Sequence, residues 1–200
     1  MKAYSRPLIA IFLILLADQV LKTWVKTNMF IGQEYHLIDN FAIIHFTENN
    51  GMAFGMEFGG EAGKLALSLF RILAVGGIGY GLHYLIKHKY HRGLILNVAL
   101  IFAGALGNII DSVFYGVIYN YEKLFHGRVV DMFYFPIIQG HFPAWFPIWA
   151  GEDFVFFRPV FNIADAAISI GVIMILIFQK TYFKEDVKEQ PSLNSEVVED

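Results

Sequence analysis

The sequence predicts an all-α integral membrane protein: four transmembrane helices, a small extracytoplasmic β-containing subdomain and an interfacial loop. Three observations carry this expectation. Apolar residues make up 56% of the 200 residues and charged residues 16%, far from the balance of a water-soluble domain. The mean hydropathy is +0.50. Four apolar stretches reach the roughly 20 residues that a helix needs to cross a bilayer. One small domain cannot hide so much apolar surface from water, so lipid is the solvent this composition calls for.

The four stretches run, to within a few residues, from Pro7 to Val25, Leu65 to Ile86, Leu94 to Val117 and Arg158 to Gln179. Pro7 suits a first helical turn, where its missing N–H costs nothing. Lys2 and Arg6 ahead of the first run resemble the start of a cleavable leader. The run exceeds a leader's apolar core, however, and Asp18, Gln19 and Lys22 follow where a small-residue cleavage site belongs. The segment therefore reads as a retained span. Residues 1–184 form one four-span domain. Residues 185–200 are polar, contain Pro191, Ser192 and Asn194, and read as a disordered cytoplasmic tail.

Orientation follows from the basic residues. Lys2 and Arg6 mark the N-terminus, Lys87, Lys89 and Arg92 the short second connection, and Lys180, Lys184 and Lys188 the C-terminus. Both termini and the short connection are expected in the cytoplasm, and the two longer connections outside. Within the first of these, Phe41-Ala42-Ile43-Ile44-His45-Phe46 reads as a strand and Asn49-Asn50-Gly51 as a turn. The second, about residues 118–157, is crowded with rings such as Tyr119, Tyr121, Phe133, Phe142, Trp145 and Trp149. Aromatic side chains favour the membrane–water interface, so part of this loop is expected on the outer leaflet. The alternative is a small soluble subdomain that packs these rings together.

Several chemistries are excluded or weakened. There is no cysteine, hence no disulfide, thiolate site or cysteine nucleophile. The net charge of -3 does not suggest a nucleic-acid partner. The seven histidines form no His-Glu-x-x-His pattern, and His88 and His91 fall with the cytoplasmic loop. No metal and no organic cofactor are expected. Ser68 and Ser169 lie in spans without a partner base, and Gly-x-Ser-x-Gly is absent. What stands out is carboxylates at membrane depth, where an ionisable group is costly. Asp18, Asp111 and Asp165 lie in or beside spans, and Asp131 follows the third. Each has a plain structural explanation, as a helix cap or as the partner of a cation; Lys22 lies one turn from Asp18 on the same helix face. Asn162 and Asp165 share a face at the outer end of the fourth span. On these residues alone, a four-span transporter or proton path is the alternative to a hydrolase.

Four blocks, in order, narrow the choice: Asp18-Gln19 with Lys22; Asn49-Asn50-Gly51-Met52-Ala53-Phe54; Gly104-Ala105-Leu106-Gly107-Asn108-Ile109-Ile110-Asp111, followed by Val129-Val130-Asp131-Met132-Phe133; and Phe161-Asn162-Ile163-Ala164-Asp165. Together they resemble lipoprotein signal peptidase, or signal peptidase II, over nearly the whole chain apart from the tail. The resemblance implies an aspartyl peptidase of the bacterial cytoplasmic (inner) membrane. Its catalytic pair would be Asp131 and Asp165. Asn49, Gly51, Asn108, Asp111 and Asn162 would support or line the site, and Asp18 would have a structural or substrate-orienting role. The implied substrate is a prolipoprotein with a diacylglyceryl-modified cysteine, cut on the amino side of that cysteine. Membrane lipids are the other expected partner, and a monomer is expected.

The chain departs from the family pattern in two ways. Ser112 stands where the family usually has Arg after the third-block aspartate; Arg128 or Arg158 is the candidate replacement, and Arg128 is counted with the site. The segments on either side of Asp131 are also longer than is typical and hold most of the aromatic residues.

Overall fold

The computed structural model describes residues 2–50, 60–145, 147, 149, 151–156 and 158–183. Its first element, α1, is Lys2–Asn28, followed by strands β1 (Glu34–Ile38) and β2 (Ala42–Asn49). Helices α2 (Gly60–Lys87) and α3 (Arg92–Ile110) form a hairpin. A π-helical turn, Asp111–Tyr115, carries α3 into a short α4, Gly116–Ile118. The chain then forms β3 (Val129–Tyr134), β4 (Ile138–His141), β5 (Asp153–Phe156) and β6 (Val160–Phe161), and ends in α5 (Ile163–Ile177) and α6 (Gln179–Tyr182).

Among the described residues, three helical segments are long and apolar enough to cross a membrane: Tyr4–Asn28, Gly60–Lys87 and Arg92–Ile118. Helix α5 is apolar but shorter. It begins later than the sequence suggests, because Val160 and Phe161 are taken up by β6. Pro7 is likewise not in a first turn, since α1 starts at Lys2 and the ring sits inside the helix. Proline has no N–H to bond the carbonyl one turn back, so α1 forgoes one backbone hydrogen bond there.

The burial pattern is that of a protein solvated by lipid. Phe12 is 62% exposed and Leu73 74%, whereas Asp18, Lys22 and Asp111 are at most 1% exposed. Apolar side chains face outward because hydrocarbon accepts them; polar ones turn inward, where they can pair. Helix α3 is central, packed against α1, α2 and α5. Close approach depends on two missing side chains. A Cβ on Gly104 would lie 2.2 Å from the Ala164 carbonyl oxygen, and one on Gly107 2.8 Å from Asp18 Oδ2. Small residues at helix crossings let backbones meet in this way.

A four-stranded antiparallel sheet in the order β1-β2-β3-β6 covers one end of the helices. Val130, Met132, Ile44 and Phe46 of the sheet pack with Val25 of α1, with Met29 just after it and with Tyr115. The expected strand at Phe41–Phe46 is the first part of β2. Alternation along β3 sends Val130 and Met132 into this core and Asp131 to the opposite face. Strand β3 therefore carries Asp131, where the sequence indicated only a position beyond a span. Part of the aromatic loop forms a separate β4–β5 hairpin, over which Phe142 packs on Trp149 and Phe154. Gly51, with Met52, Ala53 and Phe54, and the tail at 185–200 lie outside the described residues.

Candidate active site

The site begins with a helix cap. Asn162 is extended, with φ −123° and ψ 179°, and opens α5. Its Oδ1 accepts from the Asp165 amide at 2.9 Å, while Asp165 Oδ2 accepts from the Asn162 amide at 3.4 Å. This reciprocal box satisfies two amides that a helix start leaves free. It also fixes the Asp165 carboxylate at the positive end of the helix dipole. The Asn162 amide group faces the other way and donates to Asp131 Oδ1 at 2.7 Å. One asparagine thus touches both carboxylates.

Two more asparagines complete the surroundings. Asn49 Nδ2, at the end of β2, donates to Asp131 Oδ2 at 3.2 Å. Asn108 Nδ2, on α3, donates to Asp165 Oδ1 at 2.7 Å, and its Oδ1 accepts from Asn162 at 3.2 Å. Asp131 is 3% exposed. Burial pushes its carboxyl up to about 7, and the charge of Asp165 pushes in the same direction. Both effects disfavour a second negative charge. Hydrogen bonds from Asn49 and Asn162, with the more distant Lys22, oppose the rise without cancelling it.

A second buried cluster lies deeper, between α1 and α3. Lys22 Nζ sits 2.8 Å from Asp18 Oδ2 and 2.9 Å from Asp111 Oδ2. Gln19 donates to Asp111 Oδ1 at 2.9 Å and to Asp18 Oδ2 at 3.1 Å, and accepts from the Tyr115 hydroxyl at 3.1 Å. Asp18 Oδ1 accepts from the Ala164 amide and Asp111 Oδ2 from the Val130 amide. Asp18 therefore anchors the start of α5, and Asp111 anchors β3. Lys22 also donates to Asn108 Oδ1 at 2.9 Å, which joins this cluster to the first.

The structure thus gathers Asp131, Asp165, Asn49, Asn108 and Asn162 around one point, with Asp18 and Asp111 behind them. Arg128 is elsewhere. It reaches Glu48 at 3.4 Å, lies over the Tyr121 ring, and shares Glu48 with Lys26. Its position just before β3 turns it to the rim. Arg158 is exposed. A cation not anticipated from the sequence comes from α2: Arg71 Nη1 donates to Ser112 Oγ at 3.3 Å, and Asp165 and Asp131 both attract it. Its signal was available, since Leu69-Phe70-Arg71-Ile72-Leu73 places a charge inside an apolar run. Among the described residues, no three His, Asp or Glu side chains gather at metal-binding separation.

Comparison with known proteins agrees with this architecture. The family described as Signal peptidase (SPase) II matches residues 10–181. A lipoprotein signal peptidase of Porphyromonas gingivalis is 52% identical over 183 residues, covering 84% of this chain and 79% of its own. One from Amoebophilus asiaticus is 36% identical over 197 residues, covering 94% and 81%. A solved bacterial membrane enzyme, determined by the in meso method at 2.3 Å, superposes with a TM-score of 0.61 at 27% identity, covering 92% of this chain and 94% of its own. On this evidence the chain, with its apolar helices and buried polar network, belongs to the signal peptidase II family, the lipoprotein-processing proteases of bacterial membranes.

Proposed function

We propose that the chain is an intramembrane aspartyl endopeptidase that removes the signal peptide from diacylglyceryl-modified prolipoproteins, cutting on the amino side of the lipidated cysteine. The observation that carries this reading is Asn162, whose side chain and backbone each hold one carboxylate of the Asp131–Asp165 pair. Two carboxyl groups in one buried site share a proton more readily than they bear two charges. The ionised partner takes a proton from water as the water oxygen attacks the scissile carbonyl carbon. The protonated partner gives its proton to the carbonyl oxygen, and a diol forms. As the C–N bond then breaks, its electron pair stays on nitrogen, which takes the proton that came from water; the other carboxylate takes a proton from a diol hydroxyl as the new carbonyl forms, and the pair returns to its starting charge. Because the two carboxyls share one proton in this reading, neither has a fixed role. Asparagine amides beside them donate to developing oxyanions without adding charge.

In this reading α5 serves as the fourth span, both termini are cytoplasmic, and the pair opens near the outer face. The basic connection Lys87, Lys89 and Arg92 lies at the end of α3 opposite Asn108, which supports this orientation. Water then reaches the pair while the substrate's acyl chains remain in lipid. Exposed rings, such as Trp145 at 78% exposure, suit an interfacial loop that covers the substrate helix.

The test is cleavage of a lipidated prolipoprotein by the purified chain in detergent. The unsubstituted protein is expected to release the signal peptide, and an unlipidated Cys→Ser substrate to stay intact. Cleavage by Asp131→Asn or Asp165→Asn at the normal rate would overturn the dyad, and loss of activity with a chelator would turn the reading toward a metal hydrolase.

A further inference from the structure

Arg71 projects from an apolar stretch of α2 and is only partly exposed. A cation there is held only by strong partners. Its guanidinium donates to the hydroxyl of Ser112, which is 4% exposed. That hydroxyl donates in turn to the Asn108 carbonyl at 2.9 Å, and Asn108 is the residue whose amide holds Asp165. The carboxylates that attract Arg71 are those of Asp165 and Asp131. Neighbouring charged groups are engaged elsewhere. On α1, Lys22 is shared by Asp18 and by Asp111 at the end of α3. Lys26 of α1 and Arg128, just before β3, share Glu48 of β2. Lys64 of α2 donates to Asn50. The nearby ring groups have partners too: Tyr115 bonds Gln19, Tyr121 accepts from the Arg128 amide, and His126 lies against backbone carbonyls.

We propose that Arg71, seated on Ser112, is the charge partner of the Asp131–Asp165 pair, and that in this chain α2 supplies the cation that the family pattern carries at position 112 on α3. The inference rests on the peptidase reading. With one shared proton the pair bears one negative charge, and one guanidinium balances it where the dielectric is low. Without Arg71 the pair takes up a second proton at higher pH and loses its base. Arg71 acts here through the carboxylates, as a positioning residue.

The experiment is the pH profile of prolipoprotein cleavage by the full chain in detergent, with folding checked by thermal melting. Arg71→Gln is expected to move the acid limb of kcat upward by about one pH unit, and so to lower kcat by roughly ten-fold at pH values below that limb, with KM changed far less. Arg71→Lys keeps the charge and is expected to keep the limb close to its original position. Adding Ser112→Arg to Arg71→Gln returns the guanidinium from the α3 side and is expected to recover most of the shift. An Arg71→Gln profile that overlays the original, or an Arg71→Lys profile displaced as far as Arg71→Gln, overturns the proposal. Should Arg71→Gln fail to fold, Ser112→Ala decides. Loss of the seat is expected to lower kcat several-fold on the acid side, and an unchanged profile overturns the proposal. Asp165→Asn is run in parallel. An active Asp165→Asn enzyme removes the peptidase reading itself, whereas an inactive one beside an unaltered Arg71→Gln removes this inference alone.

Discussion

Two pairs of aspartates lie close together in this fold, with Asp18, Asp111 and Asp131 buried and Asp165 partly exposed, and they are held in opposite ways. Asp18 and Asp111 share an ammonium that both contact directly. Asp131 and Asp165 are held by the amides of three asparagines, with a guanidinium attracted from α2. The first arrangement ties α1, α3, β3 and the start of α5 into one unit. The second leaves Asp131 with a carboxyl near pH 7 and keeps a proton within reach. The same residue type is therefore paired with a buried cation in one place and with neutral amides in the other. What differs is whether a fully desolvated cation sits against it.

The largest test exchanges the two settings. Asp131→Asn or Asp165→Asn is expected to lower kcat by at least about 10³-fold and to leave the melting temperature within a few degrees of the original. Substitution in the other cluster reverses the pattern. Lys22→Met leaves two buried carboxylates without their cation, at a cost of about 3–5 kcal/mol, and is expected to show first as loss of folded protein in detergent melts. A Lys22→Met protein that melts normally would erase the distinction between the clusters.

Asn162→Ala strikes the residue that belongs to both carboxylates and to the cap. Loss of a hydrogen bond to a charged group, at about 1.5–3 kcal/mol, predicts a kcat lower by roughly 10- to 100-fold. Loss of the cap predicts about 1 kcal/mol of destabilisation. Both are measurable on one preparation. Unchanged kcat with lowered stability would make Asn162 a cap and nothing more.

Asp131 also predicts how stability varies with pH. Its folded carboxyl titrates near 7, above the usual carboxylate value of about 4. The folded state therefore binds the extra proton in that window, and stability falls as pH rises from about 4 to about 7, by up to about 1.4 kcal/mol per unit. Asp131→Asn is expected to flatten this slope in melts across the same range. The smallest effect is expected at the rim. Arg128→Ala leaves Glu48 with Lys26, and an ion pair that is partly exposed contributes less than about 1 kcal/mol. Cleavage by this variant should stay within about three-fold of the original; a larger loss would bring Arg128 back into the site.

Much of this was legible in the residues themselves. The apolar runs announced α1, α2 and α3, because a helix in lipid is recognised by length and composition alone. Phe41–Phe46 announced β2 through its β-branched and aromatic residues. Asn162 and Asp165 announced a cap, because their spacing is local. Strand β3 was hidden: Asp131 interrupts the apolar run Val129–Tyr134, and the strand is defined by pairing with β2 and β6. The start of α5 was misjudged because Val160 and Phe161 are apolar whether they lie in a helix or in a strand. Arg128 stands out because it is close to Asp131 in sequence, and Arg71 does not because it is distant.

The sequence by itself determined that the protein lives in lipid, that its polar residues must pair inside, and, through four ordered motifs, which family it belongs to. These are properties of composition and local spacing. Only the tertiary structure decided which aspartates meet a cation, which meet asparagines, and that a guanidinium attracted to the second pair comes from α2. Except for Lys22 with Asp18, one helical turn apart, and Asn162 with Asp165, 3 positions apart, those contacts bridge long separations, 82 positions for Asn49 with Asp131 and 57 for Asn108 with Asp165. They exist because Gly104 and Gly107 let helices approach and because alternation along β3 turns Asp131 away from the core. Chemistry at this site depends on how burial and neighbouring charge act on each carboxylate, and both are set by folding.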